Sequence, residues 1–394
     1  MKRIILSIAL ACISTIASFA QLNGNGYYRI QNAKTGRYMS LCDNHSDGIQ
    51  LNSTSVDASA LVTKKNLDEV LSDPGTIFYI EKISNDNYNI SAQGSNVYDM
   101  IHYYIRLSKL DDGTYRAWQI DKGQPIFLSE ADHAYYDKLG VSYVNTTTTT
   151  TQRWYIKPVN TGDNYICVKP CIKANGKNYA TFFADFPFSF ASKGMRALYL
   201  NKVNADGNAV YKEIDGIVPA KTPVIIECTD AEAANNKLKI EASSPSSIKD
   251  NLLVGVYFSI GDKGIDHFKS VEFDATSMRV LGISDDGSLE FNNKDTYMLD
   301  TQKKIPTGKY DAKYEPIKAI PHNTCYLKVS NDCPSSLKLV DAATAGIKDI
   351  KLDPDNKPAN VYNLEGKVVK TNATSVEGLP KGVYIFKNKK YLVE

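Results

Sequence analysis

A two-residue rhythm runs through almost the whole chain. Tyr28-Arg29-Ile30, Phe78-Tyr79-Ile80-Glu81-Lys82-Ile83, Tyr165-Ile166-Cys167-Val168 and Pro223-Val224-Ile225-Ile226 are short runs rich in aromatic and β-branched residues. The turn dipeptides Asp112-Gly113, Asp206-Gly207, Asp215-Gly216 and Asp286-Gly287 punctuate the chain. Successive side chains of a strand point to opposite faces, so alternation of this kind calls for sheets, and Asp-Gly turns call for antiparallel neighbours. Only Asn66–Leu71 and Asp230–Asn235 read as helical, and both are short. The expected class is all-β, and 394 residues suffice for two or three domains, each with its own core.

Charge narrows the choice of partners. The 46 basic residues nearly cancel the 44 acidic ones, and a net charge of +2 leaves no global field to draw in nucleic acid or an anionic membrane. Tyrosine is over-used, 25 copies against two tryptophans, and suits both strands and surfaces that stack on ligands. Residues 1–20 read as a signal peptide, with Met1-Lys2-Arg3 for charge, Ile4 to Ile16 for the apolar core and Ser18-Phe19-Ala20 for cleavage. A lipoprotein cut before Cys12 is the alternative, with only Ile4 to Ala11 as its apolar run. No later stretch approaches the ~20 apolar residues of a membrane span. The mature chain is expected to be secreted or held at the outer-membrane cell surface.

Six cysteines follow the leader: Cys42, Cys167, Cys171, Cys228, Cys325 and Cys333. In an oxidising compartment Cys325 with Cys333, or Cys167 with Cys171, would close short loops, and the sequence does not select the pairing. Buried, unreactive thiols fit their wide scatter as well. Cys167-x-x-x-Cys171 has no second pair or neighbouring histidine at zinc spacing.

An internal echo organises the first part of the chain. Gly26-Tyr-Tyr-Arg-Ile and the following Lys34-Thr-Gly36 return, 87 residues later, as Gly113-Thr-Tyr-Arg-Ala and Lys122-Gly123. A fainter copy begins at Tyr88-Asn89-Ile90. Three copies, each closing on an aromatic strand (Phe78, Trp118, Trp154), predict a three-lobed barrel. Asn32-Ala-Lys-Thr-Gly36-Arg-Tyr-Met-Ser-Leu41, then Asp47-Gly48-Ile49-Gln50-Leu51, and finally Gln152-Arg153-Trp154, resemble the lobes of a ricin-type β-trefoil lectin over residues 22–158.

Two further resemblances follow. The aromatic run Asn178 to Phe190 and the proline-led strands at Ile217–Ile226 and Ile320–Val329 resemble a β-rich antiparallel module of Bacteroidetes surface proteins, spanning 160–345. A split near Ser243–Ser247 is the alternative. After the polar linker Lys351–Pro358, Val361-Tyr-Asn-Leu-Glu-Gly366-Lys-Val-Val369, Leu379-Pro-Lys-Gly382-Val-Tyr384-Ile-Phe386 and Lys390-Tyr-Leu-Val393 resemble the C-terminal sorting domain of type IX secretion. Residues 346–394 then form the linker and a small β-sandwich-like unit, with Gly366 and Gly382 at tight turns. An ordinary immunoglobulin-like module is the alternative there.

The lectin resemblance implies a sugar site made of an acid, a stacking aromatic and amide partners. In the first lobe Gln50 matches a polar partner, but Ser40 stands at the acidic position, Asn52 at the aromatic one, and Thr76-Ile77-Phe78 replaces Gln-x-Trp. In the third lobe Gln152 and Trp154 are present while Phe127 takes the acidic position. In that family the tryptophan fills the barrel core and the glutamine bonds nearby backbone, so the triplet marks the fold before it marks a pocket. Gln50, Gln152 and Trp154 remain candidate ligand residues. Tyr103 and Tyr135, each followed by a second tyrosine, are candidate stacking platforms, although adjacent strand residues point to opposite faces.

Other chemistry is sparse. His45, His102, His133, His267 and His322 form no i, i+4 pair, and His133 beside Asp132 reads as a solvated loop. Asp43 to Gly48 has the look of a calcium loop but places Thr54 where a bidentate Glu is required. No nucleophile elbow, zinc-protease helix or phosphate loop is present, and 44 carboxylates single out no glycosidase pair. The expectation is an exported, non-catalytic binding protein for glycan or glycoprotein, without metal or cofactor, meeting export machinery through its C-terminal domain. The alternatives are a hydrolase within 160–345, or an inhibitor or structural surface component.

Overall fold

The computed structural model describes residues 22–41, 61–96, 104–135, 138–145, 150–204, 206–257, 271–307, 312–343, 358–387 and 389–393. The segment read as a signal peptide, Cys42, the calcium-loop-like stretch 43–54 and all but Pro358 of the stretch read as a linker, 351–358, lie outside the described residues. Among the described residues the fold is almost entirely β, with one short helix, Leu67–Ser72, capped by the Asn66 side chain on the Asp68 amide (3.1 Å). The second helical expectation, Asp230–Asn235, reduces to a single 3-10 turn at Ala233–Asn235.

Eleven strands build the N-terminal unit: β1 (Gly26–Asn32), β2 (Tyr38–Leu41), β3 (Leu61–Lys64), β4 (Phe78–Ser84), β5 (Asn87–Ala92), β6 (Ser95–Asn96), β7 (Ile105–Lys109), β8 (Tyr115–Asp121), β9 (Gln124–Tyr135), β10 (Lys138–Val144) and β11 (Trp154–Pro158). Pairing of β1 with β4, then β5, β7, β8 and β11 back to β1 closes a six-stranded antiparallel ring. Ring strands also pair outward, β1 with β2 and β8 with β9. The β2–β3 and β9–β10 pairs, joined through β3–β10, form a second layer. Lobes one and three are complete, whereas the second contributes β5, β6 and β7 among the described residues.

The echo is a packing equivalence. Tyr28 and Ile30 of β1 point into one core with Tyr115 and Ala117 of β8, together with Phe78, Ile80, Ile90, Ile105, Trp154 and Ile156. Trp118 corrects the expected closing positions. It lies in β8 itself, three residues from inward-facing Tyr115 and so on the outer face, and the second lobe closes on β7. There the indole is half-buried beneath the Arg106 guanidinium (4.8 Å to the ring centroid) and beside Phe127 (6.4 Å between centroids).

Beyond Val159 the strands assemble into a ten-stranded and a three-stranded sheet plus the hairpin Leu299–Pro306/Ala312–Ala319. One core draws on both sides of Ser243–Ser247, with Ile172, Leu198, Leu200 and Ile225 packed among Leu253, Leu281, Phe291, Leu327 and Leu337. Strand Asn208–Glu213 runs parallel to Ser336–Asp341, a pairing that adjacent antiparallel hairpins do not produce. A second core holds the aromatic run, where Phe182 meets Phe188 edge-on (5.3 Å), and it includes Ile77 and Val159 from the trefoil side. Trefoil and module therefore share apolar packing.

Gly255 shows how tight the module is. A Cβ there would lie 2.4–2.5 Å from ring carbons of Phe183, itself stacked on Tyr257 at 4.4 Å, while the strand is held by its pairing with Cys325. Gly255→Ala is expected to cost about 1–3 kcal/mol by overpacking. A thermal melt followed by tyrosine near-UV circular dichroism that matches wild type would refute this.

The C-terminal unit is a four-stranded antiparallel sheet, Val368–Ala373, Ala359–Asn363, Gly382–Phe386 and Lys389–Val393 in spatial order. Val376, from the segment between two of these strands, is buried with Val361, Tyr384, Phe386 and Tyr391. Gly366 occupies a turn at φ +80°, as expected; Gly382 instead begins a strand, where a Cβ would stand 3.3 Å from the Tyr384 hydroxyl.

Candidate functional site

Gln50 and Tyr103 lie outside the described residues, and Tyr135 ends strand β9. Gln152 and Trp154 are buried, and the Trp154 indole N–H donates to the Leu128 carbonyl (3.0 Å). As packed, neither presents a surface to a ligand. Phe127 is also buried. The six-threonine run ends in the turn Thr150–Gln152, where Thr151 meets Ser129 at 3.0 Å between hydroxyl oxygens.

Ser40, at the acidic position of the first lobe, lies inside a polar network where trefoil and module meet. Its hydroxyl donates to Asp73 Oδ2 (2.8 Å), which also takes Lys64 Nζ (2.8 Å). Asp73 Oδ1 accepts from the Gly75 amide (2.8 Å) and from Asn323 Nδ2 of the module (3.2 Å). Burial alone would push the Asp73 carboxyl up, but Lys64, with His322 and Ser40, outweighs it and holds the group below the usual carboxylate range. Asn323, at φ +57°, also pairs with Gln93 on the turn between β5 and β6. The neighbouring Gly94 amide donates to Asp185 of the module (2.9 Å).

Arg29 is the second anchor. Fully buried, it donates through Nε to Thr76 (3.0 Å), through Nη1 to Asn164 Oδ1 (2.8 Å) and Tyr165 O (2.7 Å), and through Nη2 to Val70 O (3.1 Å). Burial brings its guanidinium down to about 10, still charged at neutral pH. The first-lobe position that the lectin resemblance pointed to is thus closed by the module.

What the trefoil leaves at the surface is a row one step beyond Arg29. Gln31 of β1 stands in register with Tyr38 of β2 on one side and Tyr155 of β11 on the other, so all three side chains share the outer face. Each is half-buried. Gln31 Nε2 donates to Gly36 O (2.6 Å), and Lys157 Nζ lies 5.5 Å from the Tyr38 ring centroid. Across the seam Lys237 Nζ sits 4.0 Å from the Tyr165 ring. The usable signal was outward tyrosines in different strands, each beside a core residue: Tyr38 next to Met39, and Tyr155 between Trp154 and Ile156.

Elsewhere Glu227 takes Lys177 (2.8 Å), Arg196 (2.6 Å) and the Tyr179 hydroxyl (3.2 Å), while Arg196 also reaches Glu213 (3.2 Å). Burial pushes Glu227 up, yet the two cations more than offset it and hold the carboxyl low. Such saturation suits an ion-pair strut better than a proton donor. Cys167, Cys171, Cys228, Cys325 and Cys333 are all free thiols, so neither short loop is closed by a disulfide. Burial pushes Cys167 up to about 11 and Cys228 to about 12, which leaves little thiolate for nucleophilic chemistry. Among the described residues no three His, Cys, Asp or Glu side chains converge as metal ligands, and no helix is long and apolar enough to cross a membrane.

No protein-family model matches the chain, and no curated protein matches it. Among solved structures it is similar to a designed 3-fold symmetric protein, ThreeFoil, at 14% identity over 34% of this chain and 99% of that one, with a TM-score of 0.24. It is also similar to a mosquitocidal holotoxin at 11% identity over 95% of this chain and 58% of that one, with a TM-score of 0.27. At such distances the fold rests on the strand pairings themselves.

Proposed function

We propose that the chain is an exported, non-catalytic binding protein that recognises glycan or glycoprotein through the outer face of its trefoil. The reading is carried by the Tyr38–Gln31–Tyr155 row, which stays at the surface while Ser40, Gln152 and Trp154 are enclosed. Tyrosine rings stack on the apolar face of a pyranose, and an amide between them both donates to and accepts from hydroxyls. The C-terminal sheet is the element we assign to the export machinery, with delivery to the cell surface or the medium; no nucleic acid, metal or cofactor enters this reading.

A glycan array probed with residues 21–394 tests it, since the shared core makes the trefoil alone a poor probe. Saturable binding is expected, weakened about tenfold or more in a Tyr38→Ala/Tyr155→Ala double variant. Binding that survives the double substitution would move the site elsewhere. Silence from a folded chain would remove the glycan reading for the sugars displayed.

A further inference from the structure

Two turns of the middle module, together with Leu252, border an open hollow of about 460 Å³. Val203, Leu252, Leu327, Val329 and Pro334 supply aliphatic wall, and the exposed carboxylates of Asp206 and Asp332 border it. Hydrogen bonds hold described residues of both turns. Arg279, 2% exposed, holds one of them by donating from Nε to Pro334 O (2.7 Å) and from Nη2 to Cys333 O (2.7 Å). Asn204 Oδ1 fixes the other, accepting from the Asp206 (3.1 Å) and Asn208 (2.9 Å) amides. The turns also touch: at Gly207, φ +73°, a Cβ would lie 3.3 Å from Pro334 Cγ.

Charge and exposure define what fits. Neither Asp206 nor Asp332 has a basic side chain within ion-pair distance among the described residues, although Lys328 lines the same hollow. The Ser330 hydroxyl holds Asp332 below the usual carboxylate range, so it is ionised at neutral pH. Apolar surface continues outward at Val203 (36% exposed), Leu252 (40%) and Val254 (37%), the last two sharing one face of an extended segment. An aliphatic strip beside two carboxylates that have no ion-pair partner among the described residues is complementary to a lysine or arginine whose stem lies on Leu252 and Pro334 and whose neighbours are themselves aliphatic. A small hydrophilic ligand would leave that strip uncovered.

We propose that this hollow docks a basic, aliphatic segment of a partner polypeptide, independently of the tyrosine row on the trefoil. Fluorescently labelled acetyl-VRVRV-amide, titrated with residues 21–394 and followed by anisotropy, is the test. Saturable binding is expected, weakened about tenfold or more by the glutamine peptide acetyl-VQVQV-amide and by an Asp206→Asn/Asp332→Asn double variant. The Tyr38→Ala/Tyr155→Ala chain should bind the arginine peptide as wild type does, which separates this site from the glycan row. Absence of saturable binding overturns the proposal, as does binding indifferent to the two aspartates or equal for the glutamine peptide.

Discussion

Asp73→Ala is expected to lower stability by about 3–5 kcal/mol, the range for removing one partner of a buried ion pair. Lys64 Nζ, buried beside it, would lose its carboxylate, and Ser40, the Gly75 amide and Asn323 Nδ2 would each lose an acceptor. Asp73→Asn keeps the volume and part of the hydrogen bonding and should cost less. Both tryptophans of the chain, Trp118 and Trp154, lie in the trefoil, so indole fluorescence during denaturant unfolding reports that unit. A midpoint within error of wild type would show that this carboxylate does not cement the seam. The effect carries a pH signature. Because the folded-state pKa of Asp73 is depressed, its contribution is present above the unfolded value of about 3.9 and is lost as pH falls through the folded one. The gap between wild type and Asp73→Ala should therefore narrow below about pH 4.

Trp154→Ala should be comparably severe, about 3–5 kcal/mol, by opening a cavity at the centre of the ring and leaving the Leu128 carbonyl without its indole donor. Trp154→Phe retains most of the apolar volume and loses mainly that hydrogen bond, so roughly 1–2 kcal/mol is expected. Trp118 then serves as the sole indole reporter in either variant. If Trp154→Phe abolished glycan binding without a matching loss of stability, Trp154 would have to touch ligand, and its place in the core would need another account.

Residues differ in how far they could be read in advance. Gly366 as a turn and the short helix near Asn66–Leu71 were legible, because each depends on neighbours close along the chain, and Trp154 as core was implied by the lectin resemblance. The 87-residue echo exposed lobes one and three, since equal positions face one shared core. Trp118 misled because an aromatic two residues before an isoleucine looks the same on either face of a strand, and its three-residue offset from Tyr115 settles which. Ser40 carried no hint of its partner. Asp73-Pro74-Gly75 reads as an ordinary turn, and the Asn323 that completes the network comes from a turn 250 residues further on.

Alternation and turn chemistry alone dictated the all-β class, the positions of many strands and the inward set of the barrel, because strand periodicity and tight turns are local properties of the backbone. Which surfaces remain for recognition was decided only in three dimensions. Docking of the module encloses Arg29, Ser40 and Asp73 while leaving Gln31, Tyr38 and Tyr155 partly exposed, and Arg279 holds the 333–334 turn that borders the hollow. The enclosure depends on contacts between distant segments, Asp73 with Asn323 and Arg29 with Asn164, where desolvation and hydrogen bonding act together and no short window of sequence contains both partners.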